Sequence, residues 1–192
     1  MIAIIKYNGG NTMSVMNAIH RLGFECAVTD NPEDIQKAEK VILPGVGEAR
    51  SAMKSLQSNN LDKVIKTLHQ PFLGICLGMQ LMCDHSEEND TTGLGIFDVS
   101  VKRFPPSEIV PHMGWNSLDD LKGGLFAQFK SDDNIYFVHS YYAEISNETI
   151  AKCNYILPFS AAMQKDNFYG VQFHPEKSGV AGSNILKQFL NL

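Results

Sequence analysis

The stretch FLGICLGMQ, from Phe72 to Gln80, places one cysteine between two glycines, after a short apolar run and before a segment with helical character. A short apolar run followed by such a segment is typical of a buried strand that leads into a helix. The pattern Gly74-x-Cys76-x-Gly78 has the form of the sharp strand-to-helix turn that exposes a nucleophilic side chain. The alternative is a small buried hydrophobic cysteine, since free cysteines are among the most buried residues. A general base near Cys76 would favour the nucleophile over the buried hydrophobic cysteine.

Short apolar runs alternate with amphipathic stretches up to about residue 90, and this alternation predicts βαβ units. We therefore expect an α/β fold with an open, mostly parallel sheet, helices on both faces and antiparallel strands added later in the chain. The predicted parallel strands are Ile2–Lys6, Phe24–Val28, Lys40–Leu43 and Pro71–Ile75. The later strands are Ser100–Arg103, Ile135–Val138, Ala161–Gln164 and Tyr169–Phe173, before a last helix at about Val180–Leu190.

The length of 192 residues and a hydrophobic content of 44% predict one globular domain, residues 1–192. The net charge is −5, and the basic residues are scattered, so we expect no nucleic-acid partner. No apolar stretch approaches the roughly 18 residues of a membrane span, and we expect no membrane partner and a cytoplasmic location. The four cysteines form no C-x-x-C pair, so neither a metal site nor another cofactor is expected.

The best candidate base lies about a hundred residues beyond the cysteine, in GVQFHPE from Gly170 to Glu176. Here a predicted strand leads to His174, and Pro175 ends the strand pairing. Glu176 follows two residues after the histidine, where its carboxylate would orient the imidazole as the third member of a Cys-His-acid triad. A solvated surface turn is the alternative for this segment alone. Of the other histidines, His20, His69, His112 and His139 have no acid two residues on, whereas His85 has Glu87 there but lies in no comparable strand-end motif.

Acyl chemistry also requires hydrogen-bond donors where negative charge develops on the substrate oxygen. The amide of Leu77 directly follows the cysteine, and the Pro44–Gly47 loop ends the third predicted strand. Glycines let the backbone of that loop approach a ligand and change conformation. A plain strand-to-helix turn is the alternative for the loop.

Three segments together, LPGVG, GICLGMQ and FHPE, resemble the class I glutamine amidotransferases, which have a flavodoxin-like α/β fold. These enzymes hydrolyse the glutamine side-chain amide through a Cys-His-Glu triad and pass ammonia to a synthase. Further segments, YNGGNTMSV, PHMGWN and YFVHSY, are similar to the glutaminase subunits of imidazole glycerol phosphate synthase. The resemblance covers essentially the full chain.

The resemblance implies a role for each matching residue. Cys76 would be the nucleophile, His174 the general base and acid, and Glu176 the carboxylate that orients it. The amides of Val46 and Leu77 would form the oxyanion hole. Glutamine, the substrate, would be held by Gly47, Gln80, Glu88, Ser140 and Tyr141, and Glu88 would meet its α-ammonium group.

The resemblance also implies a heterodimer with a separate (β/α)8-barrel cyclase, which would receive the ammonia and make imidazole glycerol phosphate in histidine biosynthesis. Trp115 is the single tryptophan. A core position is its default, but the resemblance favours a partner interface that includes Trp115 and Tyr136. The chain has Lys6-Tyr7-Asn8 where the family usually has D-Y-G, and we expect this departure to affect docking or signalling rather than the triad.

Three other functions remain open from the sequence. A stand-alone thiol hydrolase would keep Cys76 and His174 but would bury Trp115. A class I amidotransferase of another synthase would keep the triad and differ in its partner. A catalytically dead binding module would tolerate alkylation of Cys76. For the amidotransferase, we expect Gly45-Val46 to turn an amide toward the site only when the cyclase and its ligand are present.

Overall fold

The computed structural model describes residues 1–192. The strands are β1 Ile2–Ile5, β2 Cys26–Thr29, β3 Lys40–Leu43, β4 Phe72–Ile75, β5 Cys83–Ser86, β6 Thr91–Thr92, β7 Phe97–Arg103, β8 His112–Asn116, β9 Ile135–His139, β10 Tyr141–Ala143, β11 Thr149–Tyr155, β12 Leu157–Lys165 and β13 Phe168–Val171. The α-helices are α1 Thr12–Arg21, α2 Pro32–Lys37, α3 Ala49–Ser58, α4 Leu61–Lys66, α5 Leu77–Met82 and α6 Gly179–Leu190.

Seven strands form the central sheet, in the order β11-β12-β13-β4-β3-β1-β2. Neighbouring strands are parallel from β2 to β13, whereas β11 and β12 add to the β13 edge in antiparallel orientation. The order of the five parallel strands is that of the flavodoxin-like doubly wound fold. The predicted mostly parallel sheet with antiparallel additions is confirmed.

Alternate residues of the parallel strands enter two separate cores, because successive side chains of a strand point to opposite faces. Ile2 and Ile4 pack with α1 and α6, whereas Ala3 and Ile5 pack with α2, α3, α4 and α5. The helices therefore cover both faces, as predicted. None of them combines the length and the apolar character needed to cross a lipid bilayer.

Two smaller sheets extend the fold beyond β4. One has four strands in the order β10-β7-β5-β6, and the other is the antiparallel pair of β8 and β9. The sequence prediction missed β5, β6, β8, β10 and β11, and it shortened β7 to Ser100–Arg103 and β12 to Ala161–Gln164. Two predicted strands are shifted: Phe24–Val28 is Cys26–Thr29, and Tyr169–Phe173 is Phe168–Val171.

The parallel pairing of β4 with β13 determines where the candidate site lies. Val171 is the partner of Ile75, and the Cys76 amide donates to the Val171 carbonyl at 2.8 Å. Cys76 and His174 therefore follow neighbouring strands at the same edge of the sheet. In open α/β sheets, this carboxyl edge is where ligands bind.

Candidate active site

Cys76 occupies a tight turn between β4 and α5. Its backbone has a φ of 54° and a ψ of −110°, a region that residues with a side chain rarely adopt. The flanking glycines make this turn possible. A Cβ on Gly78 would overlap the Leu43 carbonyl oxygen, and one on Gly74 would lie 2.8 Å from the Met79 nitrogen. The sharp strand-to-helix turn predicted from the sequence is present, and we call it the elbow.

His174 and Glu176 form a buried pair behind the cysteine. The Nδ1 atom of His174 lies 2.8 Å from Oε1 of Glu176, and their side chains are 2% and 1% exposed. Because the carboxylate accepts a hydrogen bond, the pair places a proton on Nδ1. Nε2 has no hydrogen-bond partner within the chain and is available for proton transfer.

The electrostatic surroundings of His174 favour the protonated ring. Burial by itself lowers the pKa of His174, but the adjacent Cys76 and Glu176 outweigh it and hold that pKa above its ordinary value. A proton on His174 and a thiolate on Cys76 stabilise each other. The arrangement can therefore supply both a nucleophile and an acid.

A cavity of about 360 Å³ opens over the cysteine and the histidine. It contains every residue predicted to bind glutamine or to form the oxyanion hole: Val46, Gly47, Leu77, Gln80, Glu88, Ser140 and Tyr141. Glu176 does not line the cavity, because it lies behind His174. Pro111, Val138 and His139 also line it and were missed, since no local sequence signal marks them as pocket residues.

Two polar side chains of the cavity have definite roles in its wall. Gln80 is buried, and its Nε2 donates to the Tyr141 carbonyl at 2.8 Å. Glu88 accepts from the Ala49 amide at 2.8 Å, and burial, with a smaller contribution from Glu48, raises its pKa. A half-buried carboxylate without a cation is incompletely solvated, so a ligand ammonium group would compensate it.

The two predicted oxyanion donors are in different states. The Leu77 amide makes no hydrogen bond within the chain and follows the nucleophile directly. In contrast, the Val46 amide donates to the Gly9 carbonyl. The Tyr7 hydroxyl also holds this loop, because it donates to the Pro44 carbonyl at 2.7 Å. The Val46 amide is thus already paired. The contact of the Tyr7–Gly9 segment with the Pro44–Gly47 loop was not indicated by the sequence.

His112 and His139 form a buried line of hydrogen bonds beside the cavity. The Nδ1 of His139 donates to the Tyr141 carbonyl at 2.7 Å, and its Nε2 lies 3.0 Å from Nδ1 of His112. Burial lowers the pKa of His112 to about 4 and that of His139 to about 3. Both rings are neutral at pH 7, and neither contacts a carboxylate. Their neutral state and lack of a carboxylate partner agree with the prediction that His174 is the better base.

The β8–β9 pair connects an exposed aromatic surface with the triad. Trp115 is 58% exposed, and its ring packs edge to face against Tyr136 at 5.9 Å. The Tyr136 carbonyl accepts the His174 amide at 3.0 Å, and Val138 of the same strand lines the cavity. Trp115 therefore lies outside the core, unlike the default position of a single tryptophan.

Comparison with known proteins identifies the family. The family model described as "Glutamine amidotransferase class-I" matches residues 3–192. The chain belongs to the class I glutamine amidotransferase family. This glutamine amidotransferase is 56% identical to the imidazole glycerol phosphate synthase subunit HisH of Bacteroides fragilis (strain YCH46), covering 100% of this chain and 99% of that protein. It is 46% identical to the HisH subunit of Escherichia coli (strain K12), with the same coverage.

Solved structures agree on the fold of this glutamine amidotransferase. A structure titled as a glutamine amidotransferase superposes with a TM-score of 0.77 at 17% identity, covering 99% of this chain and 97% of that one. A glutamine amidotransferase from Thermotoga maritima gives a TM-score of 0.63 at 17% identity, with 99% and 82% coverage. At such identities the likeness supports the fold alone. As a family member, the chain is an enzyme that hydrolyses glutamine.

Replacing Glu176 with glutamine tests the buried pair. Because the carboxylate stabilises the protonated imidazole, E176Q should lower the pKa of His174, measured by NMR titration of its ring. D90N is the control, since Asp90 is exposed and pairs with His85 instead. An unchanged His174 titration in E176Q would show that Glu176 does not act on the ring.

Proposed function

We propose that the chain is the glutaminase subunit of an imidazole glycerol phosphate synthase and works in the cytoplasm in histidine biosynthesis. The observation that carries the proposal is the cavity in which Cys76 meets His174, whose Nε2 is unpaired and whose Nδ1 is held by Glu176. Full-length similarity to HisH subunits supports the choice of synthase.

The reaction uses the triad in two steps. The Cys76 thiolate attacks the side-chain carbonyl carbon of glutamine, and His174 gives its proton to the departing nitrogen, so that ammonia leaves a glutamyl thioester. Water then attacks the thioester while His174 takes a proton from it. Glutamate leaves and the protonated imidazole again faces the sulfur.

Glutamine is bound through its own charged groups and its side-chain carbonyl. Glu88 accepts from the α-ammonium, because this carboxylate is half-buried and has no cationic partner in the chain. Gly47, Gln80, Ser140 and Tyr141 complete the wall around the substrate. The cavity volume of about 360 Å³ suits a small amino acid.

The oxyanion hole is incomplete in the isolated chain. The Leu77 amide is available, whereas the Val46 amide must leave the Gly9 carbonyl before it can meet the substrate oxygen. The Gly45-Val46 peptide turns when the partner and its ligand are bound. This restraint prevents glutamine from being hydrolysed when no ammonia acceptor is present.

The partner is a (β/α)8-barrel cyclase, which receives the ammonia. Trp115 and Tyr136 anchor the heterodimer, since a large exposed aromatic pair is typical of an interface hot spot. A stand-alone thiol hydrolase would have no need of this surface, and the exposure of Trp115 is contrary to that alternative. The link from Tyr136 to the His174 amide gives the interface a direct connection to the triad.

Removing the nucleophile separates ammonia production from its use. In the reconstituted complex with the cyclase, C76A should lose glutamine-dependent synthesis by at least about 10³-fold, because no other thiol lies in the cavity. Added ammonium salt should restore synthesis, since the cyclase needs only ammonia. C26A, which changes a cysteine outside the cavity, is the matched control. Glutaminase activity that survives in C76A would contradict the proposal.

Truncating the tryptophan tests the interface. W115A should weaken binding to the cyclase by about 30-fold in Kd, because it removes a hot-spot aromatic while leaving the buried core intact. I145A, at an exposed aliphatic position between β10 and β11, is the control. Calorimetry measures both, and equal affinities of W115A and the unaltered chain would exclude Trp115 as an anchor.

A further inference from the structure

Gln172 lies beside the nucleophile as a consequence of the strand register. It directly follows Val171, whose partner in the parallel pair is Ile75, so Gln172 and Cys76 continue adjacent strands. Its backbone N–H donates to the Ala161 carbonyl at 2.8 Å, which holds this part of the chain to β12. The residue is completely buried. Burial of a neutral amide requires that its polar atoms find partners.

Both polar atoms of the Gln172 side-chain amide have partners in the site. Its Oε1 accepts from Nε2 of Gln80 at 2.8 Å, and its Nε2 lies 3.6 Å from the Cys76 sulfur. The first contact determines the orientation of the amide, because only the oxygen of Gln172 can accept from Gln80. The NH₂ group must therefore face the sulfur. Gln80 is itself fixed, since it also donates to the Tyr141 carbonyl.

Different neighbours of the Cys76 sulfur suit its thiol and its thiolate forms. The Val138 carbonyl, at 3.9 Å, can only accept, so it suits the neutral thiol. Gln172 can donate to a thiolate, and Cys76 is only 7% exposed, so little water reaches its sulfur. In such a site a fixed protein donor replaces the lost solvation of the anion.

We propose that Gln172 is a positioning residue that donates a hydrogen bond from Nε2 to the Cys76 thiolate. Through its Oε1 it also binds Gln80, which lines the glutamine pocket. This inference rests on the proposed role of Cys76 as the nucleophile. Gln172 adds a neutral donor to the charge of His174, and it does not contact the substrate. Because it binds Gln80 as well, one amide aligns the sulfur with the pocket wall.

The test measures thiolate formation directly, without glutamine or the cyclase. Iodoacetamide alkylates the Cys76 thiolate, forming a thioether and releasing iodide, and the rate is followed against pH by mass spectrometry of the Cys76 peptide. In a C26S background, Q172M should shift the midpoint upward by about one pH unit, because one hydrogen bond to the anion is lost. Tyr7, Glu88, His139, His174 and Glu176 are unchanged in both chains, so the difference reports on Gln172.

Q164M is the matched control, because Gln164 is a part-buried glutamine of β12 that donates to the Tyr169 hydroxyl and not to the sulfur. Its alkylation midpoint should equal that of the parent. If Q172M does not fold, Q172N replaces it, since the shorter amide cannot reach both Gln80 and the sulfur. An upward shift in either Gln172 variant supports the proposal, and a midpoint equal to that of Q164M overturns it. Failure of the proposed function is distinguishable, because it would appear as glutaminase activity in C76A.

Discussion

The parallel pairing of β4 with β13 is the constraint on which the rest of the site depends. It joins two segments that lie about a hundred residues apart, and its register places Cys76 beside Gln172 and near His174. A shift by one residue would send the side chains of one strand to the opposite face. The two apolar cores stabilise this register, because each alternate residue of the strands is buried on its own side.

The second constraint is the strained turn at Cys76. A positive φ at a residue with a side chain is unfavourable by roughly 1–3 kcal/mol and persists only when its surroundings enforce it. Gly74 and Gly78 permit close contact with α5 and with the end of β3. The same closeness brings the Pro44–Gly47 loop to the start of α5, since a Cβ on Gly45 would lie 2.7 Å from the Leu77 Cβ. One of the two proposed oxyanion donors, the Leu77 amide, is thus fixed by the turn at Cys76, while the other, the Val46 amide, lies in a loop that Tyr7 and Gly9 restrain.

The sequence predicted the elements whose signals are local. Glycines mark the elbow at Cys76, and His174-Pro175-Glu176 marks the other two triad candidates. The cavity is lined by all the residues that the resemblance assigned to glutamine binding. The position of Gln172 beside Cys76 was missed because it depends on register with β4, which no local pattern encodes. The contact of Gly9 with Val46 was missed because it joins two loops that are far apart in sequence, and the Lys6-Tyr7-Asn8 departure was assigned to docking or signalling.

We expect the isolated chain to have a complete nucleophile and an incomplete oxyanion hole. The most direct measurement compares glutamine turnover by the isolated chain with turnover in the complex with the cyclase and its ligand, while Cys76 alkylation is followed in the isolated chain. Turnover should be lower without the partner by about 10²–10³, the usual effect of one missing oxyanion donor, although the thiol reacts with iodoacetamide. Equal turnover in the two states would contradict the claim.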